Sequence, residues 1–194
     1  MLNPLSLIIL VVAITVHEFA HALVADRLGD PTPRSLGRLS LNPLRHLDPI
    51  GTLMLIIAHF GWGKPVQIDP YNFRSPRRDE LLVSLAGPGS NLLLALLAGL
   101  SNNFLPSSLT PILYVFALIN ISLALFNLLP LPPLDGSKIF LNLLPLESSL
   151  NWEESLGRYG QLILIFLFIL PFGSSNILSL ILSPPTTFLL HLLF

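Results

Sequence analysis

The chain has 194 residues, 52% of them apolar and only 11% charged, with ten Lys and Arg against eleven Asp and Glu and a net charge of −1. Soluble domains carry about 25% charged residues, so this is membrane composition, sized for one bundle of spans and read as a single domain over 1–194. The absence of a basic block excludes nucleic acid as a partner, and the absence of cysteine excludes disulfides, thiolate metal sites and a cysteine nucleophile.

The first apolar stretch, 4–25, is predicted as a spanning helix with Asn3 as N-cap and Pro4 at its first position, closed by Asp26 and Arg27. It lacks the basic start and small-x-small cleavage site of a signal peptide. The segment 29–49 is a candidate β-region: Arg34–Leu41 alternates imperfectly, which leaves strand and loop both open. Residues 50–62, with Gly51, His59 and Gly61, are too few to span and read as a re-entrant segment. Regular spans are predicted over 81–100 and 111–129. A last one over 162–182 is interrupted by Pro171, Gly173 and Ser174-Ser175-Asn176, and is therefore kinked or broken. The expected fold is an all-α polytopic membrane protein: about four transmembrane helices, a re-entrant segment and, as an open alternative, a small cytoplasmic β-sheet.

All Lys and Arg fall in three connections, while 101–110 and the tail from Ser183 carry none. If 50–62 dips in and returns, the basic connections share one face, cytoplasmic by the positive-inside rule, and both chain ends lie outside.

The chemistry sits in the first span, as His17-Glu18-Phe19-Ala20-His21. In HExxH the two imidazoles stand one turn apart on one helical face, where both can bind a single Zn²⁺, and the Glu can reach water as general base. His17 lies roughly 20 Å from the outer end of that helix and roughly 14 Å from Asp26, so the metal would sit below the surface, nearer the cytoplasm. Two His and a Glu are costly there unless they bind something. A catalytic zinc needs a third protein ligand; His46, His59, His191, Glu80 and several Asp are available. One segment stands out: after Asn127, Pro130, Pro132 and Pro133 cannot continue a helix and predict an extended break ending at Asp135-Gly136. At membrane depth such a break can line a cavity and turn Asp135 inward. Taken alone, it also fits an ordinary loop with a solvated Asp-Gly turn.

HEFAH, Ala86-Gly87-Pro88-Gly89-Ser90-Asn91 and the Asn127-x-x-Pro130 to Leu134-Asp135-Gly136 element occur in an order that resembles the site-2 protease family of intramembrane zinc metalloproteases. The segment from Gly29 to Thr52 is similar to that of the compact members without a PDZ domain. The resemblance implies one zinc ion held by His17, His21 and Asp135, with Glu18 as general base. It also implies a catalytic or substrate-binding Asn127, and an Asn91 that serves either substrate or helix packing. The implied protein is a multi-pass endopeptidase acting on transmembrane segments within the bilayer, its site nearer the cytoplasmic side, in a cell or organellar membrane. A serine mechanism would require Ser90 and the terminal His191, and an aspartyl mechanism a second intramembrane Asp. The non-enzymatic alternative, a metal-binding protein or metal transporter, has no need of Glu18.

Overall fold

The computed structural model describes residues 3–49, 51, 63–172 and 175–194, and the chain forms two compact units, Met1–Asn91 and Leu92–Phe194.

In the first unit, helix α1 (Pro4–Leu28) starts as predicted, with the Asn3 side chain accepting the Ser6 N–H at 2.7 Å. It runs one turn further than 4–25 and stops at Gly29, whose φ of +112° side chains rarely adopt. Residues 29–49 correct the β-region reading: among the described residues they hold no sheet. Thr32–Ser35 is a single helical turn, α2, with Asp30 Oδ1 accepting the Thr32 N–H at 3.0 Å. Gly37, at φ +66°, then turns the chain away. Pro31 and Pro33 favour such a turn over a ladder, because neither can donate a backbone hydrogen bond. One isolated bridge, Leu47 with Gly63, is the only extended pairing in this unit among the described residues. The expected re-entrant segment 50–62, His59 included, lies outside the described residues apart from Gly51. Helix α3 (Pro76–Ser101) begins five residues before the predicted span, its first turn secured by Asp79 Oδ2, which accepts the Ser75 N–H at 3.0 Å. Ala25, Phe73 and Val83 form the apolar core of this unit.

The second unit contains the end of α3, then α4 (Thr110–Asn127), α5 (Asp135–Leu143), α6 (Leu146–Ile169) and α7 (Ile177–Leu193). Its core is small: Ala95, Ala98, Ala117, Ile121 and Leu190. Alanine and glycine permit close backbone approach, and a Cβ on Gly99 would stand 2.8 Å from Leu193 Cβ.

The span predicted over 162–182 is replaced by two helices. Helix α6 starts far upstream with a charged half bearing Glu147, Glu153, Glu154 and Arg158, and ends before Pro171. Proline disfavours helical backbone at the residue before it. A two-residue antiparallel ladder, Pro171–Phe172 with Ser175–Asn176, follows. Asn176 then caps α7 by accepting the Ser179 N–H at 2.8 Å. Among the described residues, three helical segments are long and apolar enough to cross a membrane, Pro4–Leu28, Pro76–Ser101 and Ser107–Asn127, against the expected four or so.

Side-chain distribution is that of a protein in lipid. Leu93, Leu97, Leu162, Phe166 and Phe188 are exposed, while His17, His21, Asn91 and Asn120 are buried.

Candidate metal centre

Helix α1 brings the two histidines together as their i, i+4 spacing predicts. Their Nε2 atoms face each other at 3.1 Å, both rings being buried. The opposite ring nitrogens are committed. His17 Nδ1 donates to Asn91 Oδ1 at 2.7 Å, and His21 Nδ1 donates to the Val83 carbonyl at 2.7 Å. Asn91 is oriented by its own Nδ2, which donates to the Ala13 carbonyl at 3.1 Å. Since a carbonyl oxygen can only accept, the Nδ1 atoms carry the protons and the Nε2 lone pairs point at one another. That arrangement suits a shared cation. A tetrahedral ion about 2.0–2.1 Å from each nitrogen sets the two about 3.4 Å apart, close to the spacing seen. The donor chemistry and its outer-shell hydrogen bonds therefore fit zinc.

Space for the pair comes from α3. A Cβ on Gly87 would lie 2.3 Å from His21 Nε2 and 2.6 Å from His17 Nε2. Pro88, within the same helix, has no N–H for the carbonyl one turn back. Gly87 and the Val83 carbonyl were missed as participants by sequence reading. The Gly-Pro pair inside an apolar run was the available signal for the first, and nothing marked the second.

Glu18 is half-buried beside the histidines, and its Oε2 accepts the Val66 N–H at 3.0 Å. Asn91, expected to serve substrate or packing, is wholly buried and engages His17. His46 is also wholly buried. Its Nε2 donates to the Ser40 carbonyl at 2.6 Å, a loop-fixing role rather than a ligand's.

Asn127 and Asp135 belong to the second unit, at the two ends of the proline segment. Asn127 Nδ2 donates to the Leu123 carbonyl at 2.9 Å. The segment between them is not extended as predicted but a succession of turns, with Leu131 N–H on the Leu129 carbonyl at 2.8 Å and Leu134 N–H on the Leu131 carbonyl at 2.9 Å. Asp135 opens α5, where a carboxylate is favoured by the helix dipole. Gly136 is needed for close approach, since a Cβ there would stand 2.3 Å from the Leu128 and Leu129 carbonyl oxygens. Gly160 on α6 likewise admits the Pro132 ring.

Outside the spanning helices, buried Asp30 ties the chain together. Its carboxylate accepts the Thr32 N–H, the Asp69 N–H at 2.9 Å and the Asn72 side-chain amide at 2.8 Å. Burial pushes its pKa up, but these hydrogen bonds outweigh burial and hold it below the ordinary 3.8.

Apolar helices carrying a paired-histidine centre with an adjacent carboxylate define a membrane metalloprotease core. The sequence model of peptidase family M50 matches residues 100–170. A Bacillus subtilis (strain 168) protein named "Putative zinc metalloprotease YwhC" is 41% identical over 186 residues, 89% of this chain and 84% of that protein. "Putative zinc metalloprotease Rip2" of Mycolicibacterium smegmatis is 35% identical over 193 residues, 88% of this chain and 71% of that protein. "Zinc metalloprotease MJ0392" of Methanocaldococcus jannaschii is 24% identical over 179 residues, 91% of this chain and 45% of that protein. No solved structure matches the chain at a significant level. The chain belongs to peptidase family M50, the site-2 protease family.

Proposed function

We propose that this protein is a zinc-dependent endopeptidase that hydrolyses peptide bonds of transmembrane segments within the bilayer, and that both units contribute to one protease domain. The observation that carries this reading is the pair of Nε2 atoms 3.1 Å apart, on rings fixed from behind, with a carboxylate on the next residue of the same helix. His17 and His21 supply two donors, and Asp135 is proposed as the third, each residue offering one ligand atom. A bound zinc supplies Lewis acidity toward water and toward a carbonyl oxygen. Glu18 accepts the proton of the attacking water and returns it to the leaving amine. Asn91 keeps His17 in the tautomer a ligand requires. Asn127, half-buried at the end of α4, is proposed to hydrogen-bond the substrate backbone once the substrate helix has unwound. An unwound substrate is needed because a helix spends its carbonyls on its own hydrogen bonds.

The substrate would be cut nearer the cytoplasmic side, with both chain ends outside. The one-sided basic connections support this orientation. A contact inside the second unit is consistent with it: Tyr114 and Phe194 meet edge to face with ring centroids 5.5 Å apart, which sets the C-terminus beside the start of α4.

The test is cleavage of a model transmembrane segment by reconstituted protein, with zinc measured on the same samples. Wild type should cleave and lose activity to a chelator. Glu18→Gln should keep its zinc and lose at least about 100-fold in rate, the usual worth of a general base. A Glu18→Gln variant that cleaves normally would favour the non-enzymatic metal-binding alternative.

A further inference from the structure

Arg38 is buried, 5% exposed, yet no carboxylate lies within ion-pair distance of it among the described residues. Its guanidinium is given over to backbone: Nη1 donates to the Arg45 carbonyl, and Nη2 to the Lys64 and Pro65 carbonyls, the last at 2.8 Å. Lys64 N–H reinforces the junction by donating to the His46 carbonyl at 2.8 Å. The next residue, Val66, is the one whose N–H holds Glu18. A planar fork with several fixed donors can orient three carbonyls at once, which a lysine ammonium on a flexible stem cannot do as rigidly. Burial lowers the pKa of Arg38 from its ordinary value, and the attraction of Glu18 opposes that shift.

We propose that Arg38 is a positioning residue for Glu18, acting through Lys64-Pro65-Val66. By fixing the two carbonyls before Val66 it sets where the Val66 N–H points. That N–H anchors one carboxylate oxygen and so fixes the direction of the other. The proposal rests on the role assigned above to Glu18. A residue that merely stitched two loops together would change stability or zinc content without changing turnover per zinc-loaded molecule.

The experiment uses the full chain in lipid with Arg38→Ala, Arg38→Lys, Val66→Pro and the Arg38→Ala/Val66→Pro double variant. Turnover of a model transmembrane segment, zinc content and amide exchange over 63–69 are measured together. Arg38→Ala should lose about 10- to 100-fold in kcat, as a misplaced catalytic group does, with KM within about threefold of wild type. Zinc content should be unchanged, and Val66 should exchange faster. Arg38→Lys should recover part of the loss, and remains informative if the alanine variant does not fold. The double variant should be no slower than the slower single, because both changes release the same contact. Wild-type kcat in Arg38→Ala, multiplicative losses in the double variant, unchanged Val66 exchange, or zinc lost in step with activity would each overturn the proposal. An inactive wild type, or an active Glu18→Gln, would instead overturn the reading of Glu18 on which it rests.

Discussion

Gly87 lies where a methyl group would meet the Nε2 atoms of His21 and His17, at 2.3 and 2.6 Å, distances at which something must shift. The atoms that would have to move are the donors themselves, on rings already pinned by Asn91 and Val83. Gly87→Ala should therefore lower zinc affinity at least about 10-fold, the usual scale for outer-shell disruption, with the helix itself undisturbed. Gly89→Ala is the matched control, since a Cβ there meets no described atom within 4 Å. Asn91→Ala should also lose about 10- to 100-fold in zinc affinity, because His17 is released from its tautomer. Zinc competition titration of the three variants decides it. Equal affinities for Gly87→Ala and Gly89→Ala would remove α3 from the account of the site.

Among the described residues between α1 and α3, the stretches 29–49 and 63–75 are largely irregular, and Asp30 and Arg38 tie them together rather than a ladder. Asp30 collects donors from Thr32, Asp69 and Asn72, drawing the 63–72 stretch onto the end of α1. Because its native pKa is depressed, the stabilisation it provides is fully present above 3.8 and is lost as pH falls through the lower native value. Asp30→Asn, which faces those donors with an amide in place of the charge, should destabilise by about 1–3 kcal/mol near neutrality. Thermal unfolding from pH 7 to 3 should show the gap to wild type closing at the acid end. A gap independent of pH would mean that the charge of Asp30 contributes nothing.

The helical half of the centre was legible in the sequence for a geometric reason. An i, i+4 pair meets on any helix. What could not be read are contacts made to backbone atoms: Val66 on Glu18, Arg38 on Lys64 and Pro65, and the helical Val83 carbonyl on His21 leave no mark in the residue pattern. The run 162–182 misled because its apolar residues belong to two helices. Pro171 was noticed as an interruption, but the helix it ends begins in polar sequence at Leu146. The proline segment was rightly read as non-helical. Its turns depend on the particular hydrogen bonds of Leu131 and Leu134, which composition does not specify.

At the scale of the whole molecule, the orientation proposed above rests on charge, and packing in the second unit ties two of its outer points together. Positive residues are missing from both 101–110 and the tail beyond Ser183. Those two places also meet: Gly99 abuts Leu193, and Tyr114 meets Phe194 edge to face. The end of α3, the start of α4 and the C-terminus thus share one side, the outer one in the orientation proposed above. The chain contains no cysteine, so single cysteines can be labelled without first clearing the background. Asn103→Cys and Phe194→Cys should react with a membrane-impermeant maleimide on intact cells or right-side-out vesicles. Arg74→Cys and Glu154→Cys, both at exposed positions, should react only after permeabilisation. The two outer positions must change together, because packing within one unit joins them. Reaction of Arg74→Cys from outside would reverse the orientation and place the cut nearer the outer face. Separation of Asn103→Cys from Phe194→Cys would instead contradict the packing of α7 against α3 and α4.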